Sequence, residues 1–146
     1  ILITFTPAPT ANAGSDVSVC ANNPTVTLNG VVTVATGGTW TGGTGSYNPG
    51  ANALATQYTP SAAEISSGSV TLTLTTTGNG NCNAVSDNIL ISFTPAPTAN
   101  AGTDQTKCEN NAVTTLAGAI TVATGATWSG GTGLFSHLNL PTVLLT

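Results

Sequence analysis

Few residues of this chain could take part in acid–base, nucleophilic or metal chemistry. Its 146 residues include five Asp and Glu, one Lys or Arg, one His and three Cys. His137 lies in the C-terminal tail, so the rest of the chain cannot form a histidine-based catalytic triad. Asp16 and Asp104 each lack a second carboxylate within three residues, and the cysteines, 62 and 26 residues apart, do not have zinc-finger spacing. We therefore expect no catalytic site and no enzymatic activity.

The charge balance and the hydropathy exclude two further classes of function. The formal net charge is -4 and Lys107 is the one basic residue, whereas a nucleic-acid-binding protein needs a basic stripe that displaces counterions. No stretch approaches 18 uninterrupted apolar residues, so we expect no transmembrane helix. Hydrophobic residues make up 40% of the chain, which argues against disorder, because disordered chains combine high charge with few apolar residues.

The chain contains a tandem duplication. Residues 1–16 read ILITFTPAPTANAGSD and residues 89–104 read ILISFTPAPTANAGTD, at an offset of 88 positions without a gap. At this offset 31 of 47 aligned positions are identical, up to the aromatic pair Tyr47 and Phe135, and the copies then diverge abruptly. A period of 88 residues is close to the size of one β-sandwich domain and far longer than a solenoid repeat.

Alternating prolines mark the joints between the copies, in the sequence TPAPT at residues 6–10 and 94–98. Such a segment is extended and lacks amide donors at its prolines, which makes it a short, stiff linker. We therefore divide the chain into three parts. Residues 1–6 are the last strand of a preceding repeat or a donor strand, residues 7–94 are a complete repeat, and residues 95–146 are a partial second repeat with a divergent tail from residue 136.

The side-chain pattern predicts β-strands over most of the repeat. Residues 69–75, SVTLTLT, alternate polar and apolar side chains, as in a strand with one buried face. Similar runs, separated by Asn-Gly and Gly-Gly turn signals, occur at residues 25–28, 38–41, 53–58 and 88–93. Ser61 followed by Glu64 predicts a capping box and one helical turn. Seven or so short strands per repeat predict an all-β fold, with immunoglobulin-like β-sandwich repeats in tandem.

The large aromatic side chains have two interpretations. Trp40, Tyr58 and Phe93 are expected in the core of the complete repeat, and Trp128 in the core of the second, since each domain needs its own tryptophan. The alternative is that exposed aromatic rings form a platform on which a sugar stacks.

The three cysteines are explained by the duplication. Cys20 and Cys108 are equivalent, and Cys82 lies just before the final strand of the first copy. The economical pairing is a Cys20–Cys82 disulfide within one repeat, with Cys108 as an unpaired thiol. Closing that loop would stabilise the fold by roughly 4 kcal/mol and would imply an oxidising, extracellular compartment. The alternative is three buried thiols.

Calcium is the one cofactor that the acidic residues could serve. Asp16 and Asp87 flank the joints, and carbonyl or Asn oxygens could complete a set of oxygen ligands. Two carboxylates are few for such a site, and Asp16 could instead cap a turn over residues 13–16. We therefore expect no cofactor, with Asp16 and Asp87 as the calcium candidates.

Two motifs carry a family resemblance: GGTWTGGTG at residues 37–45 and YTPSAAEI at residues 58–65. Together with the PTANAG segments, they resemble the tandem immunoglobulin-like (PKD-like) repeats of very large secreted surface proteins of Bacteroidetes, including gliding-motility adhesins. The resemblance covers residues 1–135. It implies a stalk or filament at the cell surface and brings no catalytic residues, because the repeats of that family are structural.

Two functions follow as hypotheses. The first is a structural module of an extracellular fibre or adhesin, whose partners are copies of itself or the neighbouring repeats of the same chain. The second is a carbohydrate-binding adhesin module that uses Trp40 or Tyr58 and takes surface glycans as partners.

The first hypothesis includes a mechanism of assembly. A sandwich without its last strands exposes a sheet edge and half a core. The segment that contains Ile1, Leu2, Ile3 and Phe5 corresponds in the repeat to residues 89–93, the final strand of a domain. This segment could therefore complete the partial repeat of a neighbouring chain by β-augmentation. Repeated head to tail, that contact would build a filament.

Overall fold

The computed structural model describes residues 1–135 and the backbone of residues 142–145. The chain divides into two compact units, Ile1–Thr94, here called unit 1, and Pro95–Thr146, here called unit 2. The division falls inside the second TPAPT segment. His137 and most of the divergent tail lie outside the described residues.

Unit 1 is described throughout and consists of nine short strands and one helix. The elements are β1 (Thr10–Asn12), β2 (Val17–Cys20), β3 (Val26–Asn29), β4 (Val31–Thr33), β5 (Gly37–Thr41), β6 (Ser46–Asn48), β7 (Ala55–Thr59), α1 (Ala62–Ser67), β8 (Ser69–Thr77) and β9 (Ser86–Thr94). One sheet has the order β2-β9-β8-β5, a second has the order β3-β7-β6, and β1 pairs with β4. The predicted all-β fold is confirmed, and its immunoglobulin-like type stays a prediction.

The strand β9 lies inside the four-stranded sheet. It pairs antiparallel with β8 and parallel with β2, with Val17 opposite Ile91 and Cys20 opposite Thr94. Along β9 the odd-numbered residues 89, 91 and 93 are buried, whereas Leu90 between them is 38% exposed. This alternation places one face of β9 in the core and the other at the surface.

The core of unit 1 draws on both sheets. Its buried apolar residues are Ala13, Val26, Leu28, Trp40, Tyr58, Val70, Leu72, Leu74, Ile89, Ile91 and Phe93. The indole N–H of Trp40 donates a hydrogen bond to the carbonyl oxygen of Leu54 at 3.3 Å, so burial does not leave this polar group unsatisfied.

The predicted capping box begins helix α1 and is confirmed. The hydroxyl of Ser61 accepts a hydrogen bond from the backbone N–H of Glu64, and the Glu64 carboxylate accepts one from the N–H of Ser61. Gly68 ends the helix with φ 86°, a left-handed conformation in which a Cβ is disfavoured. Because β7 and β8 belong to different sheets, α1 is the crossing between them.

Unit 2 repeats part of the local structure of unit 1. Its described elements are β10 (Thr98–Asn100), a 3-10 helix (Glu109–Asn111), β11 (Thr114–Ala117), β12 (Ala119–Thr121) and β13 (Thr142–Leu145). The pairing of β10 with β12 has the register of β1 with β4, shifted by 88 residues. Val34 and Val122 both adopt a positive φ, 64° and 65°, which β-branched residues rarely adopt, so the two copies share a strained turn.

The divergent tail keeps one feature of the repeat. β13 pairs antiparallel with β11, with Leu116 opposite Val143, as β3 pairs with β7, with Leu28 opposite Thr56. The backbone of β13 therefore takes the place of β7, although its sequence differs. The fold of the repeat thus continues past the residue at which sequence identity stops.

The structure corrects the predicted Cys20–Cys82 disulfide, because none of the three cysteines is joined in one. Cys20 is opposite Thr94, at the end of β9, whereas Cys82 lies in the loop that precedes β9. The eight residue steps of β9 span about 26 Å at roughly 3.3 Å each. A disulfide requires Cα atoms within roughly 7 Å. The duplication correctly assigned both cysteines to one copy, but it carried no information about the ends of the sheet at which they lie.

We expect a reducing agent to leave the melting temperature of the monomeric chain unchanged, because the sheet register holds Cys20 and Cys82 at opposite ends of unit 1. Calorimetry of the monomer with and without reductant measures this. A bond that stabilised the fold by roughly 4 kcal/mol would lower the melting temperature on reduction by about 15 °C or more, and such a fall would contradict the structure.

Candidate functional site

The most exposed apolar side chains of unit 1 lie in its first five residues. Ile1, Leu2, Ile3 and Phe5 are each at least 67% exposed. Residues 1–9 form no strand, so the strand predicted over residues 1–6 is not paired in this chain. Four neighbouring apolar side chains in water form a patch that a partner surface would stabilise by covering it.

Nearly the same sequence forms the core strand β9. Residues 1–6, ILITFT, differ from residues 89–94, ILISFT, at one position. In β9 this sequence has a neighbour on each side, β2 and β8, and its odd-numbered side chains are buried. The difference between the exposed and the buried copy is therefore the presence of partner strands, because the residues themselves are alike.

Two carboxylates hold β9 against its neighbours. Asp16 Oδ1 accepts a hydrogen bond from the backbone N–H of Leu90 at 2.9 Å, and Asp87 Oδ2 accepts one from the N–H of Ala13 at 2.8 Å. These were the calcium candidates, and the structure places their carboxylates on backbone amides of the chain. Within the described part of the chain, no group of three or more His, Cys, Asp or Glu could hold a metal ion.

Unit 2 has an apolar cavity where unit 1 is filled. The cavity has a volume of about 130 Å³ and is lined by residues 99–101, 118–120 and 126–128. In unit 1 the corresponding space is taken by Leu74 of β8: a Cβ added to Gly30 or Gly38 would lie 2.6 or 2.9 Å from its side chain. The described residues of unit 2 include no counterpart of β8 or β9. The cavity therefore includes the space that Leu74 of β8 fills in unit 1, where β9 is the neighbouring strand.

Matched side chains show the same difference between the units. Trp40 and Ala13 are each 1% exposed in unit 1, whereas Trp128 is half-buried and Ala101 is exposed in unit 2. Trp128 was predicted to be a core residue, and it lacks the strands that would cover it. Residues 105–108, the counterpart of β2, are exposed and form no strand, since β2 pairs with β9 alone.

The aromatic residues that were predicted in the core of unit 1 are buried. Trp40 and Tyr58 are 1% and 0% exposed, and Phe93 also lies in the core. A sugar stacks on an exposed ring face, which neither Trp40 nor Tyr58 presents. Tyr47 packs near Tyr58 with ring centroids 4.8 Å apart, and burial together with the charge of Glu64 raises the pKa of Tyr47 to about 12.

Glu64 is a buried acid of unit 1 that also fixes a loop. Its Oε1 accepts hydrogen bonds from the Tyr58 hydroxyl and the Thr44 N–H, each at 2.7 Å, and its Oε2 accepts one from the Ser61 N–H at 2.7 Å. Burial alone would raise the pKa of Glu64, but these donors outweigh it and hold the pKa below its ordinary value. A carboxylate kept ionised in this way anchors the loop and is unsuited to act as a general acid.

Comparisons with known proteins give no family assignment. The chain matches no protein-family model, and no curated protein is similar to it. None of the helices in the described residues is long and apolar enough to cross a membrane. The strongest functional feature is therefore the exposed segment Ile1–Phe5 together with the cavity of unit 2.

Acid should destabilise unit 1 through Glu64. Its pKa is lower in the folded than in the unfolded chain, so its contribution to stability is complete above the ordinary value of 4.5. That contribution is lost as the pH falls through the lowered value. We expect E64Q to reduce the free energy of unfolding at neutral pH by about 1–3 kcal/mol, because the Gln amide would face the Ser61 N–H, and to flatten the loss of stability in acid.

Urea unfolding followed by tryptophan fluorescence across the acid range measures both effects. The matched control is E109Q, which removes an exposed carboxylate of unit 2 and should reproduce the wild-type curve. An E64Q protein with the stability and the pH dependence of the wild type would contradict the anchoring role.

Proposed function

We propose that this chain is a structural repeat module of an extracellular fibre or cell-surface adhesin, assembled head to tail by β-strand complementation. One observation carries the proposal: the exposed segment Ile1–Phe5 has the sequence of a core strand, and the described residues of unit 2 include no counterpart of that strand or of its neighbour β8 and leave an apolar cavity there. Residues 1–6 of one copy would enter unit 2 of the next copy. That contact joins two different surfaces, so its repetition extends a filament.

The two faces of the segment suit a half-buried position. In β9 the odd-numbered residues face the core, and Leu90 is 38% exposed. At the offset of 88 residues, Ile1, Ile3 and Phe5 would face the core of unit 2, and Leu2 would stay at the surface. Each buried side chain contributes roughly 1.5–3 kcal/mol before the entropic costs of association are subtracted.

Unit 2 also retains backbone and side-chain acceptors for the strand. Asp104 is the counterpart of Asp16, which accepts the N–H of Leu90 in unit 1, and Asp104 is exposed. In the complex it would accept the N–H of Leu2 from the incoming strand. Residues 105–108 would form a parallel ladder with that strand, as β2 does with β9.

The surface composition and the family resemblance support the extracellular part of the proposal. One basic and five acidic residues leave the surface largely to uncharged polar residues such as Thr, Ser and Asn. The resemblance to PKD-like repeats of Bacteroidetes surface proteins supports a location at the cell surface. The carbohydrate-binding alternative has no comparable support, because Trp40 and Tyr58 expose no ring face.

A pair of single substitutions tests the proposal. Ile3→Asp places a charge on the side that would face the core of unit 2, and it should abolish filaments, since burying an unpaired carboxylate is strongly unfavourable. Thr4→Asp adds a carboxylate at an even-numbered, outward position away from Asp104, and it should leave assembly intact. Electron microscopy and sedimentation velocity of each full-length variant measure assembly.

Circular dichroism checks that both variants keep a folded unit 1, as expected for substitutions in an exposed segment. Equal assembly of the Ile3→Asp and Thr4→Asp chains would contradict strand insertion, and so would a wild-type chain that stays monomeric at high concentration.

A further inference from the structure

We propose that the head-to-tail contact is locked by a disulfide between Cys82 of one copy and Cys108 of the next. The inference rests on the proposed donor-strand function and deepens it by naming the residues that meet at the joint. The sequence analysis had predicted a different pairing, in which Cys20 is joined to Cys82 within one repeat and Cys108 is unpaired.

Each end of unit 1 carries one cysteine beside the same position of the repeat. At the end where the chain enters, Cys82 Sγ lies 3.5 Å from Thr6 Oγ1 and 3.8 Å from the carbonyl oxygen of Pro7. At the end where the chain leaves, Cys20 is opposite Thr94 in the parallel ladder of β2 and β9. Thr6 and Thr94 are equivalent residues, 88 positions apart. In a row of repeats, each threonine at this position would therefore lie beside two cysteines, one from the repeat before the joint and one from the repeat after it.

The proposed complex brings Cys82 and Cys108 to one joint. When residues 1–6 of one copy pair with residues 105–108 of the next in the register of β9 with β2, Thr6 becomes the neighbour of Cys108. Cys82 of the donor copy already contacts Thr6. Cys108 would lie about 4.8 Å from Thr6 across the strand pair, and Cys82 contacts the same threonine from its own copy. The bond then requires the loop that carries Cys82 to bring its Cα within roughly 4.4–6.8 Å of that of Cys108.

The two copies of β2 differ except at the cysteine. Residues 17–20 read VSVC and residues 105–108 read QTKC, so Cys108 alone is retained. Val17 and Val19 pack against the core of unit 1, yet their counterparts in unit 2 are polar. Retention of the thiol where the packing residues are replaced favours a role at the joint. Cys108 is exposed and Cys82 is half-buried, so both are accessible to a small oxidant.

The bond forms by thiol–disulfide exchange with a small disulfide such as oxidised glutathione. One cysteine thiolate attacks the glutathione disulfide, which gives a mixed disulfide and releases one glutathione. The second cysteine attacks the mixed disulfide at the protein sulfur, which forms the Cys82–Cys108 bond and releases the second glutathione. Two protein thiols are oxidised, one glutathione disulfide is reduced, and the two thiol protons end on the two released glutathiones.

The test uses the full chain with Cys20→Ser, so that two cysteines remain, incubated with oxidised glutathione and separated without reductant. We expect a ladder of covalent oligomers, as for the wild-type chain. Adding C82S or C108S should leave a monomer in each case. An equal mixture of these two variants should give a dimer and nothing larger, because one donor and one acceptor thiol remain. Peptide mapping of the dimer should find Cys82 joined to Cys108.

Docking should also set the rate of cross-linking. Adding Ile3→Asp should slow the reaction roughly 100-fold or more, because undocked thiols meet at micromolar rather than millimolar effective concentration. Covalent dimers of either single-thiol variant alone, or a rate that Ile3→Asp leaves unchanged, would overturn the inference.

Electron microscopy of the same samples separates failure of the bond from failure of the assembly. Filaments that form in the oxidised sample without a Cys82–Cys108 peptide would overturn the disulfide and leave strand insertion standing. Absence of both filaments and cross-links would overturn the proposed function as well.

Discussion

The core of unit 1 depends on an apolar strand in the middle of its four-stranded sheet. In unit 1 that strand is β9, which pairs with β2 on one side and β8 on the other and buries three of its side chains. The carboxylates of Asp16 and Asp87 then secure it to the flanking backbone. Because a strand gains stability only from its neighbours, the same sequence at residues 1–6 stays exposed.

The described residues of unit 2 include no counterpart of β9 or of its neighbour β8. The counterpart of β2 forms no ladder, Trp128 is only half-buried, and a cavity lies where Leu74 of β8 packs in unit 1. In the proposed assembly, the strand of one copy and the cavity of another form a complementary pair, and the stiff TPAPT segment limits how far the strand can move from unit 1. Under the proposal, a disulfide between Cys82 of one copy and Cys108 of the next converts this pairing into a covalent link.

Local pattern accounts for what the sequence predicted correctly. The alternation of residues 69–75 and 88–93 located β8 and β9, and the Ser61–Glu64 spacing located the capping box, because both signals depend on near neighbours. Strand pairing and register could not be predicted in this way, because they depend on residues that are far apart in the sequence. The parallel register of β2 with β9 decides that Cys20 and Cys82 lie far apart, and partner strands decide whether the sequence ILITFT is buried. The contacts of Glu64 with Tyr58 and Thr44 likewise depend on how the sheets pack.

Hydrogen exchange at residues 1–6 and 104–108, compared between monomer and assembled material, tests the central claim most directly. Both segments lack strand pairing in the single chain, so their amides should exchange rapidly in the monomer. Strand insertion predicts that both become protected together on assembly, with the amide of Leu2 held by Asp104. Assembled material in which both segments still exchange at the monomer rate would contradict the account.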